Sequence, residues 1–231
     1  MVQAGLLKLW TTMLAASLAA IILLAIFTTG AGAQELGCRG EVVLDPGHGG
    51  TDSGAVNTKY KLNGKDLTEK EQNLDVAKRL ELLLEGDGYK VCMTRTTNSE
   101  TLSNNDRYTY ANTTGARVLV SIHMNGSTNA STDYTTTLFG KWRKDKELAN
   151  TVFGSLSTLP AASGTGTIAT RTPYSFASGV LLKSEMPAII AETVFITNDR
   201  EGQLLAEGTG DRQQQIAQAL RVGIEDYLTT P

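Results

Sequence analysis

Residues 42–51 have the sequence Val-Val-Leu-Asp-Pro-Gly-His-Gly-Gly-Thr. An apolar, valine-rich start followed by proline and glycine predicts a buried strand that ends in a sharp loop. His48 would then lie at the C-terminal end of this strand. Open α/β sheets bind ligands at that edge, and the neighbouring glycines lack the Cβ atoms that would keep a substrate or metal ion from the backbone. His48 is therefore the first candidate functional residue.

A predicted helix follows a polar loop over residues 51–67. The sequence Thr68-Glu69-Lys70-Glu71 fits a capping box, in which Thr68 bonds the amide of Glu71 and Glu71 reaches back. Glu69 then sits at the first helical position with a free carboxylate. Apolar residues continue at helical spacing until Gly86, and residues 89–95 form the next predicted strand. A strand, a helix and a strand in this order predict a right-handed parallel crossover.

A third predicted strand, residues 117–123, ends in His123. The chain contains two histidines, and each one follows a buried strand. A lone histidine after a strand is more often a loop or core residue, but a second one at the equivalent place favours a shared site. Parallel strands would bring both imidazoles to the same edge of the sheet.

The remaining pattern predicts a single α/β domain. Residues 159–172, rich in Ser, Gly and Thr, are predicted to be a mobile surface loop with little to bury, and we expect this loop to form one wall of the site. Glu192 is an acid at the end of a strongly apolar stretch. The other predicted elements are helices over 104–113, 144–156 and 211–227, and strands over 134–139, 178–182 and 188–192. The polar residues of the helix over 104–113 are expected to face polar surroundings.

Length and composition limit the classes of function. The chain has 231 residues, of which 41% are hydrophobic, enough for one well-buried domain and short for two. The net charge is −3, and no run of lysine or arginine is present, which argues against a nucleic-acid partner. We expect a monomer.

The N-terminal 33 residues are typical of a secretory signal. Lys8 is their single charge, an uncharged apolar run covers residues 9–30, and Ala31-Gly32-Ala33 suits cleavage after Ala33. The run is also long enough for a membrane anchor, which takes roughly 20 residues, so N-terminal membrane association stays open. Both alternatives place residues 34–231, the expected single domain, outside the cytoplasm, either in the periplasm or in the extracellular space.

Two cysteines, Cys38 and Cys92, bear on the compartment. Cys38 precedes the first predicted strand and Cys92 lies in the second, so the two are expected to be near each other. In an oxidising compartment they could form a disulfide. Two buried free thiols are an equally good interpretation of the sequence.

The candidate residues suit a catalytic zinc site. Such sites use imidazole nitrogen and carboxylate oxygen as three protein ligands and leave a fourth position for water, whose pKa falls from about 15.7 to about 7. His48, Glu69 and His123 supply two histidines and one glutamate. Glu192 would be the general base, because apolar surroundings raise the pKa of a carboxylate and suit it to accepting and returning a proton.

Each acid also has a purely structural interpretation. Glu69 could be favoured at its position by the helix dipole alone, which contributes about 0.3–1 kcal/mol. Glu192 could be a buried acid paired with Arg95 or Arg107. Asp45 could orient the neighbouring histidine or simply form the turn, and the turn role is the more favoured.

The order of several motifs resembles a known family, the zinc-dependent N-acetylmuramoyl-L-alanine amidases of the bacterial cell wall. The motifs are LDPGHGGTDSGA, TEKEQNLDVAKRL, TRTTN, SIHMN and MPAIIAETVFITN, and the resemblance covers about residues 42–227. It implies one zinc ion at His48, Glu69 and His123, catalysis by Glu192, and hydrolysis of the amide between N-acetylmuramic acid and L-alanine of the peptidoglycan stem peptide. It also implies a mixed, mainly parallel sheet flanked by helices on both faces.

Two features depart from the family pattern. Val194 stands where the family usually has a glycine, two residues after the catalytic acid. The interval between Asn125 and Glu192 is too short for the long inhibitory helical insert of regulated relatives, so we expect an open site. Two other functions remain: a zinc peptidase acting on stem peptides, and a non-catalytic wall-binding protein on the same scaffold.

Overall fold

The computed structural model describes residues 37–230, and the predictions for residues 1–33 lie outside this range. Within it, no helix combines the length and the apolar composition needed to cross a bilayer. The strands are β1 (Val42–Pro46), β2 (Val56–Leu62), β3 (Lys65–Thr68), β4 (Val91–Met93), β5 (Val118–Asn125), β6 (Thr136–Phe139), β7 (Tyr174–Ser175) and β8 (Ala188–Phe195). The helices are α1 (Glu69–Gly86), α2 (Asn104–Thr114), α3 (Trp142–Leu156), α4 (Gly179–Lys183), α5 (Asp199–Ala206) and α6 (Asp211–Thr229).

Six strands form one mixed sheet in the order β4-β1-β5-β8-β6-β7. The first four strands of this order are parallel to one another, β6 runs antiparallel to β8, and β7 pairs in parallel with β6. The predicted single α/β domain with a mainly parallel sheet is confirmed. The carboxyl ends of β1, β5 and β8, in or near which His48, His123 and Glu192 lie, meet at one edge.

Successive side chains of each strand point to opposite faces of the sheet, and this divides the core into two clusters. On β1, Val42 and Leu44 join the larger cluster, which includes buried residues of α1, α3 and α6. Val43 faces the smaller cluster, to which α2 and α4 contribute Ala111 and Leu181. Helices thus cover both faces of the sheet, as expected. The smaller cluster does not fill its face, which leaves space for a cavity at the strand ends.

The predicted polar loop over residues 51–67 contains a hairpin instead. β2 and β3 pair antiparallel as a separate two-stranded sheet. Asn63 and Gly64 connect them with φ angles of 51° and 78°. Two positive φ angles in an Asn-Gly pair are typical of the tight hairpin turn that matches strand twist. The polar composition of the flanking residues obscured this signal.

The predicted capping box at the start of α1 is wrong. Thr68 precedes the helix as expected but makes no side-chain cap bond, and its buried hydroxyl oxygen has no hydrogen-bond partner. The first helical amides are satisfied by the preceding chain: the amide of Glu69 donates to the carbonyl of Ala55 at 2.9 Å, and that of Lys70 to Ser53 at 3.1 Å. Glu69 is nevertheless the first helical residue, as predicted.

The segment before β8 differs most from the prediction. Residues 178–182 were expected to be a strand, but Gly179–Lys183 form the short helix α4, whose Val180 and Leu181 are buried. Residues 159–172 do bury apolar side chains, since Leu159 and Ile168 are each 2% exposed and share a backbone hydrogen bond. The edge strand β7 and the helix α5 have no counterpart in the sequence-based prediction.

Cys38 and Cys92 form a disulfide, with their Cα atoms 5.8 Å apart. The bond joins the segment that leads into β1 to β4, the neighbouring strand. The paired interpretation of the two cysteines is therefore the one that the structure adopts.

Candidate metal centre and active site

His48 lies in the loop after β1, with a φ angle of 61°. The backbone amides of Gly49 and Asp52 each donate to the other residue's carbonyl at 3.0 Å, which closes a tight loop beside the imidazole. Nδ1 of His48 is 2.8 Å from a carboxylate oxygen of Asp52, and Nε2 is 3.1 Å from Oε1 of Glu69. The histidine is thus held by one carboxylate on each ring nitrogen.

Glu69 lies at the centre of the site. It is 4% exposed, and Oε1 is 2.9 Å from Nδ1 of His123. The amide of Met124 donates to Oε1 at 3.1 Å, and the amide of Ala55 donates to Oε2 at 2.9 Å. Stabilisation by the helix dipole needs no specific hydrogen bonds to the carboxylate. The interpretation of Glu69 as a merely dipole-stabilised residue therefore does not account for these contacts.

Gly47 makes room for the second imidazole. A Cβ atom at this position would overlap the ring of His123, which approaches the loop backbone from β5. The rings of His48 and His123 lie edge to face, with centroids 4.9 Å apart and planes at 74°. The absence of a side chain at Gly47 therefore serves the convergence of the two histidines.

The three residues fit a zinc ion by their chemistry. One ligand atom from each of His48, Glu69 and His123 lies within 4.8 Å of the others. Two imidazole nitrogens and one carboxylate oxygen are a donor set that catalytic zinc sites use. The side chains of the two histidines remain 24% and 21% exposed, so solvent and substrate can reach this point.

The electrostatics of the cluster suit a bound cation. Burial opposes a charge on His48, yet the carboxylates of Glu69 and Asp52 raise its pKa to about 9. Burial also opposes the charge on Glu69, but the two histidines hold its pKa well below the usual range. A site that stabilises positive charge in this way favours a metal ion in place of the histidine proton.

Glu192 lies in the same cavity as the three candidate ligands. It is the residue of β8 directly paired with His123 of β5. The cavity has a volume of about 470 Å³ and is lined by His48, Glu69, His123 and Glu192 among others. Burial raises the pKa of Glu192, with His123 acting in the opposite direction.

The two arginines proposed as partners of Glu192 bind elsewhere. Arg107 is buried among polar partners, since it donates to a carboxylate oxygen of Asp45 at 2.6 Å and to the carbonyl of His48 at 2.7 Å. Arg95 is 1% exposed and donates to backbone carbonyls, including that of Gly47 at 2.9 Å. Both arginines support the loop around His48.

Asp45 has neither of the two roles considered for it. Its carboxylate also accepts hydrogen bonds from the hydroxyls of Thr94 and Ser121, both at 2.6 Å. It is therefore a buried ionic partner that joins β1 to its neighbours, not a turn former. The carboxylate that contacts Nδ1 of His48 belongs to Asp52, a residue that the sequence did not single out.

Residues 159–172, which were expected to form one wall of the site, are not part of the cavity lining, and the segment that follows them forms this wall instead. Tyr174, Phe176, Ser178 and Val180 line it. Val194, which departs from the family pattern, is fully buried in the larger core cluster and is not part of this lining. The sequence contained no signal for this wall, because the wall depends on where β7 joins the sheet.

Comparison with known proteins identifies the family. Residues 42–226 match the family model described as N-acetylmuramoyl-L-alanine amidase. The chain belongs to this amidase family. The match includes all four candidate residues and nearly the whole described range.

Two curated amidases illustrate the similarity. N-acetylmuramoyl-L-alanine amidase LytC of Bacillus subtilis is 33% identical over 190 residues, which are 80% of this chain and 35% of LytC. The probable cell wall amidase LytH of Staphylococcus aureus is 30% identical over 190 residues, 81% of this chain and 58% of LytH. The chain therefore spans about a third to somewhat more than half of these relatives.

Solved amidase structures share the fold over most of their length. The N-acetylmuramoyl-L-alanine amidase of Clostridium difficile 630 has a TM-score of 0.69 and 32% identity, covering 84% of this chain and 98% of that one. The catalytic domain of the amidase CwlV from Bacillus (Paenibacillus) polymyxa var. colistinus has a TM-score of 0.69 and 30% identity, covering 82% and 98%. The described residues thus correspond to an amidase catalytic domain.

Proposed function

We propose that the protein is a zinc-dependent peptidoglycan hydrolase that cleaves the amide bond between N-acetylmuramoyl residues and L-alanine of the stem peptide. The observation that supports this most is the meeting of His48, Glu69, His123 and Glu192 in one cavity of an amidase-family domain. Two ring nitrogens, one fixed carboxylate and one further acid are the set that metal-assisted amide hydrolysis requires.

Each residue has a distinct part in this mechanism. His48, Glu69 and His123 would hold the ion, and bound zinc supplies a Lewis acid that lowers the pKa of water. Glu192 would accept the proton of the attacking water and pass it to the nitrogen of the leaving L-alanine. Its raised pKa suits both steps, because a carboxylate that binds a proton more readily is also a useful acid near neutral pH.

We further propose that the protein acts on peptidoglycan in the cell envelope. The relative LytH is named a cell wall amidase, and the disulfide between Cys38 and Cys92 suits an oxidising compartment. Residues 1–33 would direct export as a cleaved signal or as an anchor, and residues 34–231 would form the catalytic domain. Since the histidine rings are reachable from solvent, we expect activity as a monomer without an activating partner.

The substitution Glu192→Ala tests the catalytic role. With the purified protein and isolated peptidoglycan, we expect zinc content to stay at the wild-type level and turnover to fall about 10²- to 10⁴-fold, the range for a lost general base. Glu207→Ala, which removes an exposed acid of the loop after α5, is the matched control and should leave turnover unchanged. Unchanged turnover in Glu192→Ala would remove this residue from the mechanism.

The substitutions His48→Ala and His123→Ala test the metal centre in the same preparations. Both should lose zinc and activity together, and zinc content equal to wild type would exclude these residues as ligands. Mass spectrometry of the released fragments identifies the bond that is cut. Fragments cleaved within the stem peptide would favour the peptidase, and no cleavage of peptidoglycan at all would favour the wall-binding protein.

A further inference from the structure

The floor of the cavity is a row of residues that crosses five strands. Register pairs Asp45 with Ser121, Ser121 with Ile190, Ile190 with Leu138, and Leu138 with Tyr174. All five residues line the cavity. Because neighbouring strands are about 4.8 Å apart, the row extends roughly 19 Å, from β1 to the edge strand β7. The site is therefore a groove that is long enough for several residues of substrate.

The reactive groups lie on the half of this groove that is nearer to β1. His123 and Glu192 face each other on β5 and β8, so the bond to be cut would sit above these two strands. β7 lies two strands beyond β8, a distance of about 10 Å. An extended peptide covers this distance with about three residues at ~3.3 Å each.

An arginine that has no acidic partner among the described residues packs on Tyr174, a lining residue at the β7 end, and lies just outside the lining itself. The guanidinium of Arg171 lies over the ring of Tyr174, 4.5 Å from its centroid, and donates to the hydroxyl of Tyr134 at 3.3 Å. The amide of Arg171 donates to the carbonyl of Thr135 at 3.0 Å, which ties its backbone to the sheet edge. No ion pair among residues 37–230 includes Arg171. Its charge is oriented but not neutralised.

At the opposite end of the groove the charged lining residues are paired, Asp45 with Arg107 and Asp52 with His48. Asp52 lies beside His48 at the β1 end, with its side chain 63% exposed. The unpaired charge of Arg171 would therefore attract an anionic part of a substrate to the β7 end. In peptidoglycan the stem peptide contains free carboxyl groups beyond its first residue, whereas the N-acetylated sugars are neutral. Charge therefore favours the peptide at the β7 end.

We propose that Arg171 binds a carboxylate of the stem peptide, two or three residues beyond the bond that is cut. Tyr174 and Tyr134 hold the guanidinium in place, by stacking and by the hydroxyl contact respectively. The specificity that follows is for stem peptides whose second- or third-residue carboxyl group is free and not amidated. This inference rests on the proposed amidase function.

The test compares two soluble disaccharide peptides that differ only in this carboxyl group, free in one and amidated in the other. With wild-type protein we expect kcat/KM to be about fivefold higher for the free acid, the upper end of what an exposed ion pair supplies. Arg171→Gln should remove this preference by lowering kcat/KM for the free acid alone. Arg143→Gln, which removes an exposed charge from α3 on the opposite face of the sheet, should keep it.

The outcomes separate this proposal from the proposed function. If the wild type cuts both peptides and Arg171→Gln retains the same preference, the subsite is wrong while the amidase function stands. If the wild type shows no preference, the subsite is also wrong. If the wild type cuts neither peptide nor intact peptidoglycan, the amidase function fails, and the subsite fails with it.

Discussion

His48 and His123 present different ring nitrogens to Glu69. His48 uses Nε2, because its Nδ1 faces the carboxylate of Asp52, whereas His123 uses Nδ1. A carboxylate that accepts a hydrogen bond from Nδ1 keeps the proton there and leaves the lone pair of Nε2 for a metal ion. The backbone amide of Gly54 donates to the other oxygen of Asp52 at 3.1 Å and so orients the acid.

The substitution Asp52→Ala is expected to weaken zinc binding by about tenfold, the lower end of what removing such a hydrogen-bond partner costs. Without Asp52, His48 loses the contact that selects its tautomer and ring orientation. Competition with a chromophoric chelator measures the zinc Kd directly. Asp66→Ala, which removes an exposed acid paired with Lys61, is the control. An unchanged Kd in Asp52→Ala would show that Asp52 does not position His48.

The strand β1 is joined to its surroundings through Asp45. This one carboxylate contacts Ser121 on β5, Arg107 on α2 and Thr94 directly after β4. Burial alone would raise the pKa of Asp45, but the guanidinium and the two hydroxyls hold it below the usual 3.8. Folding therefore stabilises the ionised form.

The sign of the pH dependence follows from this lowered pKa. Asp45 contributes stability above its unfolded pKa near 3.8, and this contribution is lost as the pH falls through the lower folded value. At pH 7, Asp45→Asn should lower the free energy of unfolding by about 3–5 kcal/mol, because Arg107 loses its buried partner. Urea unfolding from pH 7 down to pH 3 should show the gap between wild type and variant becoming smaller. A gap that is constant with pH would contradict this role.

How well an element could be predicted depended on how it is buried. β1, β5 and β8 are covered on both faces, so each one begins with a run of consecutive apolar residues that is easily recognised. The apolar run Val180-Leu181-Leu182 was predicted as a strand but is helical, because a run this short fits either structure until its neighbours are known.

The same reasoning applies to the site. The convergence of His48, Glu69 and His123 was predictable, because each one stands near the end of an element and parallel strands end at a common edge. The positions of Asp52 and Tyr174 in the site were not predictable. Asp52 depends on a loop conformation and Tyr174 on the antiparallel pairing of β6, and a single sequence specifies neither. Asp45 was assigned to the turn, because no sequence pattern showed that Arg107 would reach it.

At the scale of the whole molecule, the disulfide restrains the first part of the fold. Cys38 and Cys92 are 54 residues apart in the sequence, and the loop between them contains β1, the hairpin and α1. Closing a loop of this length removes conformational freedom mainly from the unfolded chain.

Replacing both cysteines with serine should lower the free energy of unfolding by about 2–4 kcal/mol. Urea unfolding with and without dithiothreitol measures the difference, and the reductant should affect the wild type but not the double variant. Equal stability of wild type and variant without reductant would show that the bond does not contribute. Because the disulfide lies outside the cavity lining, zinc binding by the folded protein should be unchanged.

The two histidines of this protein lie side by side in the cavity. Imidazole resonances in a magnetic resonance spectrum would therefore all originate from the proposed reaction centre. Selective isotope labelling of histidine would give two reporters without any engineered probe, each sensitive to tautomer, protonation and ion occupancy. The composition of the chain thus provides a direct spectroscopic view of its own chemistry during turnover.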